Sequence, residues 1–167
     1  MQVFTRTAGP ALALASPARL AQVVGAIAGQ PDQWRPLARF SAKRRWYYRI
    51  EPDDPAAGYE VWLLTWLPGQ QTGFHDHGDA SGAFAVADGE LVERTGRAGR
   101  ADVRSRAFTA GAVRSFGAGH LHDVGNDARS PAVSVHAYSP PLSAMRRYAM
   151  TSSGLALAGT EMAGADW

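Results

Sequence analysis

The sequence contains no cysteine and only one lysine, Lys43, in 167 residues. Without cysteine there is neither a disulfide framework nor a thiolate metal site, so any bound metal would rest on histidines and carboxylates. Positive charge is therefore almost all arginine, and it is scattered. Its one dense run, Lys43-Arg44-Arg45, is too small for the broad basic face a nucleic acid requires. The formal net charge is only +2, and no nucleic-acid partner is expected. Long apolar runs are missing too: nothing approaches the roughly 20 residues of a membrane-spanning helix, so no membrane partner is expected. The small-residue stretch AGPALALASPA, preceded by Arg6, superficially resembles a signal peptide. It is short and leads straight into a helix cap, so it reads as mature sequence of a cytoplasmic protein, expected to be a monomer.

What is present suits one globular domain. At 46% hydrophobic the chain can build a single core. Ser16 can cap a helix with Pro17 in its first turn and Leu20, Val23, Val24 and Ile27 on one face. A second short helix, bent near Pro36, would complete an N-terminal helical segment over about 16–40. From about residue 45 to about 151 the texture becomes short runs of Tyr, Val, Trp, Leu and Phe between Gly, Asp and Asn signals. These predict strands at 46–50, 59–67, 72–77, 82–87, 90–95, 103–108, 112–116, 121–125, 132–138 and 147–151. Asp88-Gly89 is a strong hairpin signal. Many short strands without intervening helices predict a mostly-β sandwich or small barrel. The tail, about 152–167, is rich in small residues and is expected to be partly disordered at its end. The aromatic set Trp46, Trp62, Trp66, Phe74, Phe84 and Phe116 reads as core rather than pocket.

Histidine is concentrated. The five in the chain fall in three places: GFHDHGD, GHLHD and VSVHAYSPP. On a strand, residues two apart share a face, so His75 and His77 would aim both imidazoles into one interior with Asp76 pointing away. The alternative is a pair of histidines on a glycine-rich surface loop. His120 and His122 alternate in the same way on a later strand, and either could supply a third imidazole. Three imidazoles would hold one face of a metal ion and leave the opposite positions open.

The residues GQQTGFHDHGDASGAFAVADG resemble the first cupin motif: Gly69, five residues, then His-x-His, with a final Gly. GAVRSFGAGHLHDVGN resembles the second, in which Gly119, two residues, His122, three residues and Asn126 select His122 rather than His120 as the ligand. Two departures stand out. Gly117 replaces the usual proline, and the glutamate that most metal cupins carry after the second histidine is absent, with Ser81 and Gly82 in its place.

A three-histidine site without that glutamate resembles the thiol dioxygenases, typified by cysteine dioxygenase. SVHAYSPP matches their Ser-x-His-x-Tyr-Ser-Pro-Pro segment, giving Ser134, His136 and Tyr138 on one strand face. WYYRI resembles the segment whose arginine binds the substrate carboxylate, which implies that role for Arg49, with Tyr47 as a pocket wall. Gly82 stands where animal enzymes have a cysteine cross-linked to the active-site tyrosine, so the chain resembles the bacterial type without the link. The resemblance implies a cupin fold, Fe(II) held by His75, His77 and His122, and a small thiol and O2 as partners. It further implies addition of both oxygen atoms to cysteine sulfur, giving cysteine sulfinic acid. Tyr138 would donate a hydrogen bond in the site, His136 would orient it, and Ser134 would stand behind as a relay. Another small thiol, 3-mercaptopropionate or ergothioneine, and a non-catalytic metal-binding sensor are the competing readings. Arg49 favours cysteine, because relatives acting on 3-mercaptopropionate carry glutamine there.

Overall fold

The computed structural model describes residues 14–54 and 56–162; the start of the apolar N-terminal run and the end of the tail lie outside them. A helix, α1 (Pro17–Ala28), begins where Ser16 accepts a hydrogen bond from the Arg19 amide. A four-residue helix, α2 (Pro31–Trp34), tightens into a 3-10 turn at Arg35–Leu37, where Pro36 removes an amide donor. Eleven strands follow: β1 (Trp46–Ile50), β2 (Glu60–Trp66), β3 (His75–Asp76), β4 (Ser81–Asp88), β5 (Glu90–Thr95) and β6 (Arg104–Thr109), then β7 (Val113–Phe116), β8 (His122–Gly125), β9 (Ala132–Ser139), β10 (Ala144–Thr151) and β11 (Gly154–Met162).

They form two antiparallel sheets, ordered β1-β2-β9-β4-β7 and β11-β10-β3-β8-β5-β6. The central strands of the five-stranded sheet, β2, β9 and β4, are buried on both faces. Trp66, Phe84, Val86, Ala132 and Tyr138 point inward to a core shared with Leu91, Phe108 and Val124 of the second sheet. Their odd-numbered neighbours Val61, Leu63, Ala83, Ala85, Val133, Val135 and Ala137 point outward, where Leu20 and Val24 of α1 and Trp34 cover them. Period-2 alternation thus reads as a continuous apolar run because both phases are buried. Pro140 follows the last residue of β9, as expected of a residue that cannot donate to the ladder.

Two expectations fail, and one strand goes unforeseen. Asp88-Gly89 does not join a hairpin: β4 lies in one sheet and β5 in the other. The turn is a corner between sheets. Gly89 is required there by φ +75° and because a Cβ would come within 2.6 Å of the Pro131 carbonyl oxygen. A tight-turn signal specifies backbone dihedrals, not the sheet the next strand enters. Within the tail, residues 154–162 form a strand absent from the sequence-based expectation, since β11 pairs along its length with β10, and the tail's end lies outside the described residues. Only Gly154 and Leu155 of that strand are buried, so an edge strand exposed on both faces left no apolar period to read. Finally, Trp46 is 37% exposed on β1 rather than in the core.

Candidate metal centre

The second sheet brings the histidines together. β3 is two residues long, held between β10 and β8, and its register sets His75 directly opposite His122. His77 lies just past the strand end. Ring centroids are 4.7 Å apart for His75–His77, 4.8 Å for His75–His122 and 5.3 Å for His77–His122. One nitrogen from each ring lies within 4.8 Å of the others.

Their remaining hydrogen bonds say which atoms are free. His75 Nδ1 lies 2.9 Å from the Gly73 carbonyl oxygen, so Nδ1–H donates and Nε2 keeps its lone pair. His122 Nδ1 lies 2.9 Å from Glu93 Oε1, with the same consequence, and its buried Nε2 has no partner among the described residues. Neither nitrogen of buried His77 has one there either. Such orphaned buried nitrogens are costly unless something accepts them. They fit a metal ion that takes neutral imidazole. Burial, with the mutual repulsion of the cluster, pushes His75 and His77 well below the usual imidazole range. Burial lowers His122 as well. All three are therefore in the lone-pair form that metal binding needs.

A residue the sequence reading missed holds this arrangement. Glu93 on β5 is buried; its Oε1 accepts from His122 Nδ1 and from His120 Nε2 at 2.8 Å, and its Oε2 accepts from Arg114 Nε at 3.1 Å. Burial would raise its pKa, but the two imidazole hydrogen bonds hold it far below the usual carboxylate range. A signal existed: in ELVERT, Glu93 falls in phase with inward-facing Leu91, and an acid on a buried strand face needs partners. His120 is thus a partner of the brace, and it stacks on Phe116 with centroids 4.7 Å apart. Asp76 does point away from the cluster. Its carboxylate accepts from Arg146 Nε and the Tyr148 hydroxyl, both at 2.8 Å, and from the Gly78 amide at 2.9 Å, pinning the loop between the two histidines.

A cavity of about 70 Å³ opens beside His75 and His122. Tyr47, Trp62, Leu64, Leu142 and Met145 give it apolar walls, and Arg45 and Arg147 add two guanidinium groups, with no carboxylate among its lining residues. Arg45 lies over the Trp66 ring at 5.0 Å, and burial and the nearby Arg147 lower its pKa. Arg147 donates to the Thr72 carbonyl and to Glu161. Trp62, expected in the core, is instead a wall residue, and its buried indole nitrogen has no partner.

Arg49 does not reach the cavity. It shares the strand parity of Arg45 and Tyr47, but its side chain is 49% exposed and lies 3.6 Å from Glu51. The positively charged groups that the fold brings there are Arg45 and Arg147. Ser134, His136 and Tyr138 lie in line along the inner face of β9. Trp66 Nε1 donates to Ser134 Oγ at 2.8 Å, Ser134 Oγ lies 2.8 Å from His136 Nε2, and the Tyr138 hydroxyl lies 3.3 Å from His136 Nδ1. Burial, His122 and Arg45 push His136 down to about 3. Burial and Glu60 push Tyr138 above the usual phenol range.

Two antiparallel sheets closed over a buried histidine cluster define a cupin. The chain matches the cysteine dioxygenase type I family over residues 13–151. It belongs to that family. Among solved structures it is similar to a Thermus thermophilus protein at 23% identity and TM-score 0.55, over 64% of this chain and 93% of that one. A Klebsiella pneumoniae protein with a double-stranded β-helix domain aligns at 19% identity and TM-score 0.54, over 77% and 88% of the two chains. At these identities the likeness is one of fold.

Proposed function

We propose that the protein is an iron(II)-dependent thiol dioxygenase. The observation that carries this reading is the set of three buried neutral imidazoles, with unpartnered nitrogens turned toward one another, beside a cavity that holds two arginines. His75, His77 and His122 would hold the metal. Bound there, iron(II) supplies the redox chemistry that couples O2 to a thiolate. The overall change is balanced as RSH + O2 giving RSO2H: sulfur loses four electrons, O2 gains four, and both oxygen atoms end on sulfur.

The chain's own groups divide the remaining work. Arg45 fits a substrate carboxylate with the planar fork that matches such an anion, and Arg147, itself held by Thr72 and Glu161, lines the wall beside it. Leu64, Leu142 and Met145 exclude water around the sulfur. In the β9 chain, Trp66 donates to Ser134, Ser134 to His136 Nε2, and His136 Nδ1–H to the Tyr138 oxygen. That direction leaves the Tyr138 proton free to donate into the cavity. His136 and Ser134 act as positioning residues for it.

The substrate within the class follows from charge. The family resemblance favours cysteine, giving cysteine sulfinic acid. A cavity with two guanidinium groups and no carboxylate favours instead a thiol acid without an ammonium group, such as 3-mercaptopropionate, and the Arg49 argument for cysteine weakens with that side chain outside. Oxygen consumption by the Fe(II)-loaded protein with L-cysteine, 3-mercaptopropionate and ergothioneine, with sulfinate detected by mass spectrometry, tests both. Turnover of one thiol to its sulfinate identifies the substrate. Bound iron with no uptake for any of them would overturn the enzyme reading and leave a metal-binding sensor.

A further inference from the structure

A second cavity lies on the opposite side of the Glu93 brace from the substrate cavity. It occupies about 290 Å³ where the β5–β6 end meets the β7 edge of the other sheet. Its lining sets the guanidinium groups of Arg97, Arg104 and Arg114 and the His120 imidazole against a single acid, Asp102. Elsewhere in the molecule several arginines are committed: Arg94 to Asp123 and Asp127, Arg146 to Asp76, Arg147 to Glu161. Here they are not. Among the described residues, no hydrogen bond or ion pair engages the guanidinium of Arg97 or Arg104. Arg114 spends Nε on Glu93 and Nη1 on the Ser115 carbonyl, which leaves Nη2 free. Thr95 adds a hydroxyl at the rim.

We propose that this cavity is a binding site for a phosphate-class dianion, a phosphomonoester of small size. Three guanidinium groups converging on one concave site repel one another. A doubly charged oxyanion with several acceptors removes that repulsion and can take two parallel hydrogen bonds from an uncommitted fork such as that of Arg97 or Arg104. Asp102, and Glu93 through its pair with Arg114, offset only part of the arginine charge, so the lining stays positive, and the two uncommitted forks match the several acceptors of a phosphate better than a single-atom anion does. The site is not isolated from the metal centre. Arg114 is the shared group: it holds the Glu93 oxygen Oε2, and Glu93 Oε1 holds His120 and His122. An anion taken by Arg114 draws that guanidinium away from Glu93 and changes the partner of both imidazoles. This coupling, unlike the binding itself, rests on the proposed role of His122 as a ligand.

Isothermal titration of the full chain with glycerol 2-phosphate at constant ionic strength tests the site. Saturable binding is expected, weakened at least about tenfold in R97A/R104A, whose exposed positions leave folding and metal loading unchanged. A paired titration of R45A separates the two arginine-lined cavities. If R45A removes binding and R97A/R104A does not, the anion sits in the substrate cavity and the proposal falls. Chloride competing as well as the phosphomonoester, or no saturation, also overturns it. In the zinc-loaded chain the His120 ring Cε1–H resonance should move with occupancy. Binding without that movement would overturn the coupling alone, whatever thiol the enzyme accepts.

Discussion

Replacing Glu93 by glutamine removes the charge from the group that, among the described residues, accepts the His122 Nδ1–H. Its carboxylate accepts three hydrogen bonds, from His122, His120 and Arg114, at 2.9, 2.8 and 3.1 Å. Glutamine offers one oxygen to three donors and turns an N–H toward at least one of them. Hydrogen bonds to charged groups contribute about 1.5–3 kcal/mol each, and a buried unpartnered group costs about 1–3 kcal/mol. The loss should divide between fold and site, because Arg114 is half-exposed and can recover water whereas His122 cannot. Loss of an outer hydrogen-bond partner of a metal-bound histidine costs about 10–100-fold in affinity, or about 1.4–2.7 kcal/mol. E93Q is therefore expected to bind Fe(II) or Zn(II) about 10–100-fold more weakly in competition with a chromophoric chelator. Its thermal midpoint without metal should fall by several degrees. An unchanged metal affinity in a folded E93Q would refute the claim that this carboxylate sets the His122 tautomer.

The two candidate anchors separate cleanly: R45A should raise KM for a thiol acid about tenfold or more, while R49A should stay within about twofold, and the reverse pattern would restore Arg49 to the cavity. Y138F should lower kcat about 100-fold with metal affinity unchanged, since the hydroxyl donates but does not ligate; a parallel loss of metal would place it in the ligand set. The pH dependence of the metal-free chain has a definite sign. His75, His77, His122 and His136 are all depressed when folded, so the unfolded chain binds more protons below the ordinary value of 6.5. Their contribution is complete above 6.5 and is lost as pH falls through the folded values, about 3 for His136. Urea midpoints should drop steadily from about pH 7 to about pH 4, and H136Q should flatten the slope; a midpoint that rises on acidification would contradict the burial of these rings as neutral groups.

The legible part of the fold was whatever a strand's own alternation encodes. VWLLTW and AVSVHAY are apolar in both phases because helix α1 covers one face and the barrel interior the other, and that pattern alone identifies them. Strand pairing between distant segments is encoded elsewhere. The corner at Gly89 and the β10–β11 hairpin depend on which edge the chain finds, and β11, with Leu157 and Met162 exposed, carries no mark of its partner. The histidines were legible for a local reason, a two-residue period on strands that are buried. Glu93 was legible by the same rule and overlooked because an acid among apolar positions was not weighed as a buried group.

Two positions singled out by family spacing, Arg49 and Gly82, are each explained by their neighbours in the fold. Arg45, Tyr47 and Arg49 have one parity, so alternation cannot say which of them reaches the cavity. The answer lies in the register of β1 on β2, which sets Arg49 opposite Trp62 near the strand's end, where its side chain turns to Glu51 while Trp62 lines the cavity. Gly82 is the second case. A Cβ there would lie 2.5 Å from two carbons of the Phe116 ring and 3.0 Å from Tyr138. That ring is itself fixed, stacked on His77 at 5.7 Å and on His120 at 4.7 Å. The space beside Tyr138 that a cysteine side chain would need is therefore filled by Phe116. The tyrosine is held by contact with His77, 4.5 Å between centroids, and by its hydroxyl's approach to His136, rather than through a covalent bond. Glycine at 82 and phenylalanine at 116 are in this sense one choice: the ring that packs the histidine cluster occupies the volume the side chain gives up.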